Sequence, residues 1–160
     1  MARAIPLLAL LSLALAGCAG ARPPTELEGL WSAGPAACAS GVGVRFRAEA
    51  IEAVYDDEVE TLFANPRYEV EADSADAFRV RIVYDLLLPG GDRTDGAYGV
   101  LVLARQADGS IAPASHTIMD VRTGAARARL IDDPAVALLT LEPCGRHPWR
   151  QDALRGREHT

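Results

Sequence analysis

The chain has 160 residues, with 22 Asp and Glu against 16 Lys and Arg, for a formal net charge of −6. All 16 basic residues are arginine, and the acidic balance makes the chain a poor partner for the phosphate backbone of nucleic acid. The length fits one domain with a proper hydrophobic core.

The chain opens with a basic residue, Arg3, followed by an apolar run from Ile5 to Ala14 and then Leu15-Ala16-Gly17-Cys18. A basic start, a short apolar stretch and small residues before a cut site make a secretory signal. Ending in cysteine, this one resembles the lipobox of bacterial lipoproteins. The resemblance implies a signal peptide over residues 1–17, lipidation of Cys18 and a membrane anchor at the new N-terminus. Ala19, where aspartate favours inner-membrane retention in that family, implies the outer membrane, facing the periplasm. The alternative is an ordinary signal peptide with an incidental cysteine. Processing removes Arg3 and leaves 143 residues with 22 acids against 15 arginines. The apolar run is short of the roughly 20 residues that span a bilayer, and no later segment comes close. The expected protein is therefore anchored rather than embedded, through a flexible tether over residues 18–27.

With Cys18 lipidated, Cys38 and Cys144 remain as an even pair in an oxidising compartment and are expected to form a disulfide. It would close a loop of about 106 residues, worth roughly 4–5 kcal/mol in the chain-entropy model. The alternative is two separate buried thiols.

Along the mature chain the dominant pattern has period two, the signature of half-buried strands. Val42, Val44 and Phe46 alternate with Gly43, Arg45 and Arg47. Residues 51–55 are a further candidate, although Ile51, Val54, Tyr55, Val59, Leu62 and Phe63 also fit one helical face, which leaves 49–63 open between helix and strand. Tyr68, Val70 and Ala72 form the next row. The clearest strand holds Phe78, Val80, Ile82, Tyr84 and Leu86. Residues 98–104 are continuously apolar and read as a strand covered on both faces. Residues 115–122, 127–131 and 136–141 complete the set. Turn chemistry separates them at 73–76, 89–96, 107–110 (with Asp108-Gly109), 122–124 and 132–134. The expected fold is mainly β: a single small antiparallel meander, barrel or strongly curved sheet over residues 28–145, with little helix. A basic tail occupies 146–160.

Gly29-Leu30-Trp31 at the start of this meander resembles the opening of lipocalin-like, or calycin, barrels. The resemblance implies that Trp31 closes the barrel floor, stacked on an arginine such as Arg127 or Arg129. The chain departs from true lipocalins in its length and in the absence of a helix before the last strand.

The histidines, His116, His147 and His159, have no metal-ligand spacing, and no cofactor motif is present. Ser115, His116 and Asp120 suggest a hydrolase only superficially. Ser115 and His116 point to opposite faces of a strand, and there is no nucleophile elbow. Asp92 to Gly96 lacks the alternating ligands and the closing glutamate of a calcium loop. The charge is polarised instead. Residues 49–76 hold ten acids against Arg67, and residues 146–157 hold four arginines and His147 against Asp152.

The expected function is that of a membrane-anchored, non-enzymatic binding or docking module for an envelope protein, lipid or wall component. Arg146, Trp149 and Arg150 are the candidate contacts, since Trp and Arg dominate binding hot spots. The alternative is a calycin-like carrier of a small apolar ligand.

Overall fold

The computed structural model describes residues 22–56, 58–74, 77–88, 90–130 and 140–145. They form nine antiparallel strands: β1 (Leu30–Ser32), β2 (Gly43–Phe46), β3 (Ala50–Tyr55), β4 (Glu58–Asp73), β5 (Phe78–Leu87), β6 (Arg93–Arg105), β7 (Ile111–Asp120), β8 (Ala126–Arg129) and β9 (Glu142–Pro143). The sheet order is β8-β7-β6-β5-β4-β3-β2-β1-β9, so every strand from β1 to β8 pairs with its neighbour in sequence. This is the expected meander. Among the described residues no continuous ladder closes the sheet. Its ends meet at one bridge, where Ile111 at the start of β7 exchanges two backbone hydrogen bonds of 2.9 Å with Leu141, just before β9.

The open question over residues 49–63 resolves to strand. Asp56 takes φ +51° in the turn between paired residues Tyr55 and Glu58, so the run folds into a hairpin. Its helical spacing yields to cross-strand pairing: Ile51 sits opposite Phe63 and Val54 opposite Val59. β4 continues through Asn65, which takes φ +48°, and the buried Pro66. The register of β4 against β5 shifts there, and proline is tolerated within a sheet at such a bulge.

The turns follow their residues. Ser74 and Ala77 exchange backbone hydrogen bonds at the β4–β5 turn. Asp108 accepts hydrogen bonds from the Ser110 amide and hydroxyl at the β6–β7 turn, where Gly109 has φ +83°. The loop expected over 89–96 is shorter, because Arg93 already pairs with Leu87 and donates to Asp85 at 2.9 Å.

The core fills the concave side. Trp31 is fully buried and donates Nε1–H to the Leu27 carbonyl at 3.2 Å. Leu27, also fully buried, belongs to a short 3-10 helix (Thr25–Leu27), so packing reaches back ahead of Glu28. Phe78, Val80, Ile82 and Tyr84 of β5 all lie inward, at 2% exposure or less. Residues 100–103 of β6 are buried on both faces, as their continuous apolar run implies. A five-residue helix, α1 (Pro35–Ala39), carries Cys38. Its disulfide with Cys144 spans a Cα–Cα distance of 5.4 Å and ties α1 to the end of β9.

Candidate functional site

The inner wall of the sheet lines a partly open cavity of about 200 Å³. Two irregularities in the ladder shape it. Glu52 pairs with Thr61 and Ile51 with Phe63, which leaves Leu62 as an extra residue. That bulge turns Leu62 and Phe63 toward the same side, and both line the cavity. On β7, Ser115 pairs with Val102 and Pro113 with Leu103, which leaves Ala114 as the extra residue. Strict alternation would put His116 and Pro113 on opposite faces. The bulge brings His116, Pro113 and Ile111 onto the cavity side together.

The remaining walls come from Val44 and Phe46 on β2, Ile51 on β3, Leu101 and Leu103 on β6, and Leu141. Every lining residue but one has an apolar side chain. The exception is His116, 7% exposed.

The His116 side chain has one hydrogen-bonding partner among the described residues. Its Nε2 lies 2.5 Å from the Tyr84 hydroxyl. The two residues stand on β7 and β5, with β6 between them, so the reach crosses two strand spacings, or about 9–10 Å. Gly99 makes the crossing possible. It pairs directly with Tyr84, and a Cβ at Gly99 would come within 2.0 Å of the Tyr84 ring. The ring occupies the space that a side chain there would take. Phe63 covers the other side, with ring centroids 4.1 Å from Tyr84 and 5.8 Å from His116, the latter edge to face. Burial pushes the Tyr84 hydroxyl well above its ordinary value and pulls His116 below 6.5. Both groups are therefore neutral at neutral pH.

The triad-like residues do not come together. Ser115 lies opposite Val102 in the ladder, and Asp120 sits at the far end of β7. The Arg127 guanidinium binds the Asp120 carboxylate, and the Thr123 and Arg122 amides donate to its other oxygen at 2.9 Å. Those contacts, Arg127 first, hold Asp120 at about 2. Arg127, one of the two arginines expected to stack on Trp31, is thus engaged on the exposed β8 edge. Among the described residues, no three His, Cys, Asp or Glu side chains gather as a metal site. No helix there is long and apolar enough to cross a membrane.

The acidic run divides in two. Glu69 and Glu71 pair across the strands with Arg81 and Arg79, at 2.7 and 2.8 Å. Asp56, Glu58 and Glu60 stand exposed on the β3–β4 hairpin beside exposed Tyr55 and Val59. Cys18, the signal peptide, residues 136–139 of the strand expected over 136–141, and the docking candidates Arg146, Trp149 and Arg150 lie outside the described residues.

Sequence reading named His116 only beside Ser115 and Asp120 and did not link it to Tyr84 or to the interior of the sheet. The available signal was Gly99 within the apolar run 98–104, since a glycine there leaves room for a large neighbour.

The chain matches no protein-family model, no curated protein sequence and no solved structure.

Proposed function

We propose that this protein is a membrane-anchored envelope lipoprotein whose β-domain is a non-enzymatic binding module, and that what it binds is a small apolar molecule or acyl segment. The cavity carries this reading. Apolar cavities of about 150 Å³ lined by Leu, Ile and Phe stay dry and admit a benzene-sized guest, and this one is slightly larger at about 200 Å³ with the same kind of wall. Drug-sized ligands need 300 Å³ or more. The guest is therefore a single ring or a short acyl segment rather than a sterol or a whole lipid. The anchor rests on the Leu15-Ala16-Gly17-Cys18 motif and would hold the module at a membrane, the source of such molecules.

Native mass spectrometry of protein released gently from its own membrane tests this reading. A co-purifying apolar mass of one to a few hundred daltons, beyond the acyl chains on Cys18, is the expected result. A species carrying no such mass, also when offered a saturating ring-sized hydrocarbon, contradicts it.

A second reading, docking to another envelope protein, draws on the exposed Tyr55 and Val59 of the acidic hairpin (50% and 54% exposed) and on the arginine tail. Recovery of a crosslinked partner should fall when residues 146–160 are deleted. Unchanged recovery removes the tail from that reading.

A further inference from the structure

The cavity has a mouth, and the strand pairing shows where. Of the described residues that line it, Leu62 alone is exposed, at 38%; the others are buried or half-buried. Leu62 belongs to a stretch of β4 that lacks a neighbour on one side. Among the described residues, 58–63 pair with β3 alone, and the ladder to β5 begins at Ala64, opposite Asp85. Both strands are irregular at that rung. On β4, Asn65 takes φ +48° ahead of Pro66, which has no N–H to give. On β5, the register against β6 jumps from Asp85–Tyr98 to Leu87–Arg93, the mark of a large bulge. Asn65 Nδ2 donates to the Asp85 carboxylate at 2.9 Å and ties the two strands together at this last rung. Beyond it, Leu62 and Phe63 follow on one strand and Leu86, Leu87 and Leu88 on the other, with no ladder between them.

We propose, on the reading of the cavity as a binding site, that this gap is its lateral doorway and that the guest is an unbranched acyl or alkyl chain. The chain end fills the cavity, and the rest of the molecule stays outside. The volume admits either a ring or a short acyl segment, and the gap favours the second. A benzene-sized ring is wholly enclosed by such a cavity and needs no standing exit. A chain longer than the cavity needs one, and a polymethylene chain is narrow enough to leave between two strands. The exit is apolar as well: Leu86 and Leu87 are half-buried, and Leu62 and Leu88 are exposed. Each further methylene laid against them leaves water.

The test uses the full chain in nanodiscs, isotope-labelled at methyl groups and amides. It is titrated with toluene and with TEMPO laurate, a dodecanoyl chain carrying a nitroxide ring at its ester end. Methyl shifts at Leu101, Leu103 and Ile111 report occupancy, read for the ester in its reduced, diamagnetic form. The nitroxide form broadens the amides near the point where the chain emerges. The expected result is that both probes move the methyls. Broadening should be strongest at Val59, Leu62 and Leu88 and weak at Ser74 and Gly109, in the turns at the opposite ends of β4 and β6. In the Leu62→Gln/Leu88→Gln variant, which changes two exposed side chains at the gap, the ester-to-toluene affinity ratio should fall by about tenfold, the worth of roughly two buried methylenes. Partition into lipid cancels when wild type and variant are compared. Broadening centred on the far turns, or equal ratios in wild type and variant, overturns the doorway and leaves the cavity reading standing. Methyl shifts with toluene but not with the ester overturn the chain as guest and also leave the cavity standing. Failure of both probes to move the methyls overturns the cavity reading, and the doorway with it.

Discussion

Two aromatic side chains with polar handles are buried inside the same curved sheet, and they are treated differently. Trp31 is fully enclosed and gives its N–H to the Leu27 carbonyl, with inward side chains of β5 buried in the same core. His116 is almost as buried, yet it faces open volume and keeps one ring nitrogen without a protein partner among the described residues. A core that only had to be stable would fill that volume and satisfy that nitrogen. The Trp31 region shows that this chain can do both. The His116 region departs from the pattern where two bulges turn neighbouring residues inward together.

Substitutions can sharpen that contrast. The largest effect belongs to the filled region: Trp31→Ala should cost about 3–5 kcal/mol in urea unfolding, because it removes the largest fully buried side chain among the described residues and its hydrogen bond. A cost below about 1 kcal/mol would mean that this region is not tightly packed. Removing the disulfide with Cys38→Ala/Cys144→Ala should cost about 2–5 kcal/mol, since the loop it closes spans 106 residues. The same loss should appear on reduction of the wild-type protein.

Adding one methylene makes a direct comparison of the two regions. Val80→Leu, at a position with no exposure, should destabilise by about 1–3 kcal/mol, whereas Val44→Leu on the cavity wall should cost less than about 0.5 kcal/mol or stabilise. Equal costs at the two positions would erase the distinction between filled and open regions.

The smallest effect is electrostatic. Burial lowers the pKa of His116, so the unfolded chain, titrating near 6.5, binds more protons than the folded one. The associated stability is complete above that value and is lost as pH falls through it toward the folded value. Unfolding free energies measured from pH 7.5 to 5 should therefore decline in wild type and decline less in the Tyr84→Phe/His116→Phe variant. Asp85 and Asp120 are both held below ordinary carboxylate values. For Asp85, burial raises the value, but hydrogen bonds from Asn65 and Arg93 outweigh it. Their contributions are lost only below about pH 4, outside this window. Parallel curves for the two proteins would show that His116 is not buried in neutral form.

Much of the fold was legible because it rests on local signals. Alternation in 78–86, the continuous apolar run in 98–104 and the Asp-Gly turn at 108–109 each produce the element they imply. The hairpin at 49–63 was ambiguous because its apolar residues satisfy two periods, and pairing with β2 and β5 decides between them. The site was less legible. His116 and Tyr84 are 32 residues apart, and nothing local links them. Their meeting depends on Gly99 in the strand between and on a bulge at Ala114 that reverses the facing of β7. Bulges arise from register, which is set by the whole sheet. No pattern within β7 alone announces one.

The claim that the open region receives a guest is tested most directly by xenon. A crystal of the protein pressurised with xenon should show bound gas among Phe46, Leu101, Leu103 and Ile111, beside His116, and none around Trp31 and Val80. An empty cavity under saturating pressure, or side chains collapsed across it, would contradict the account.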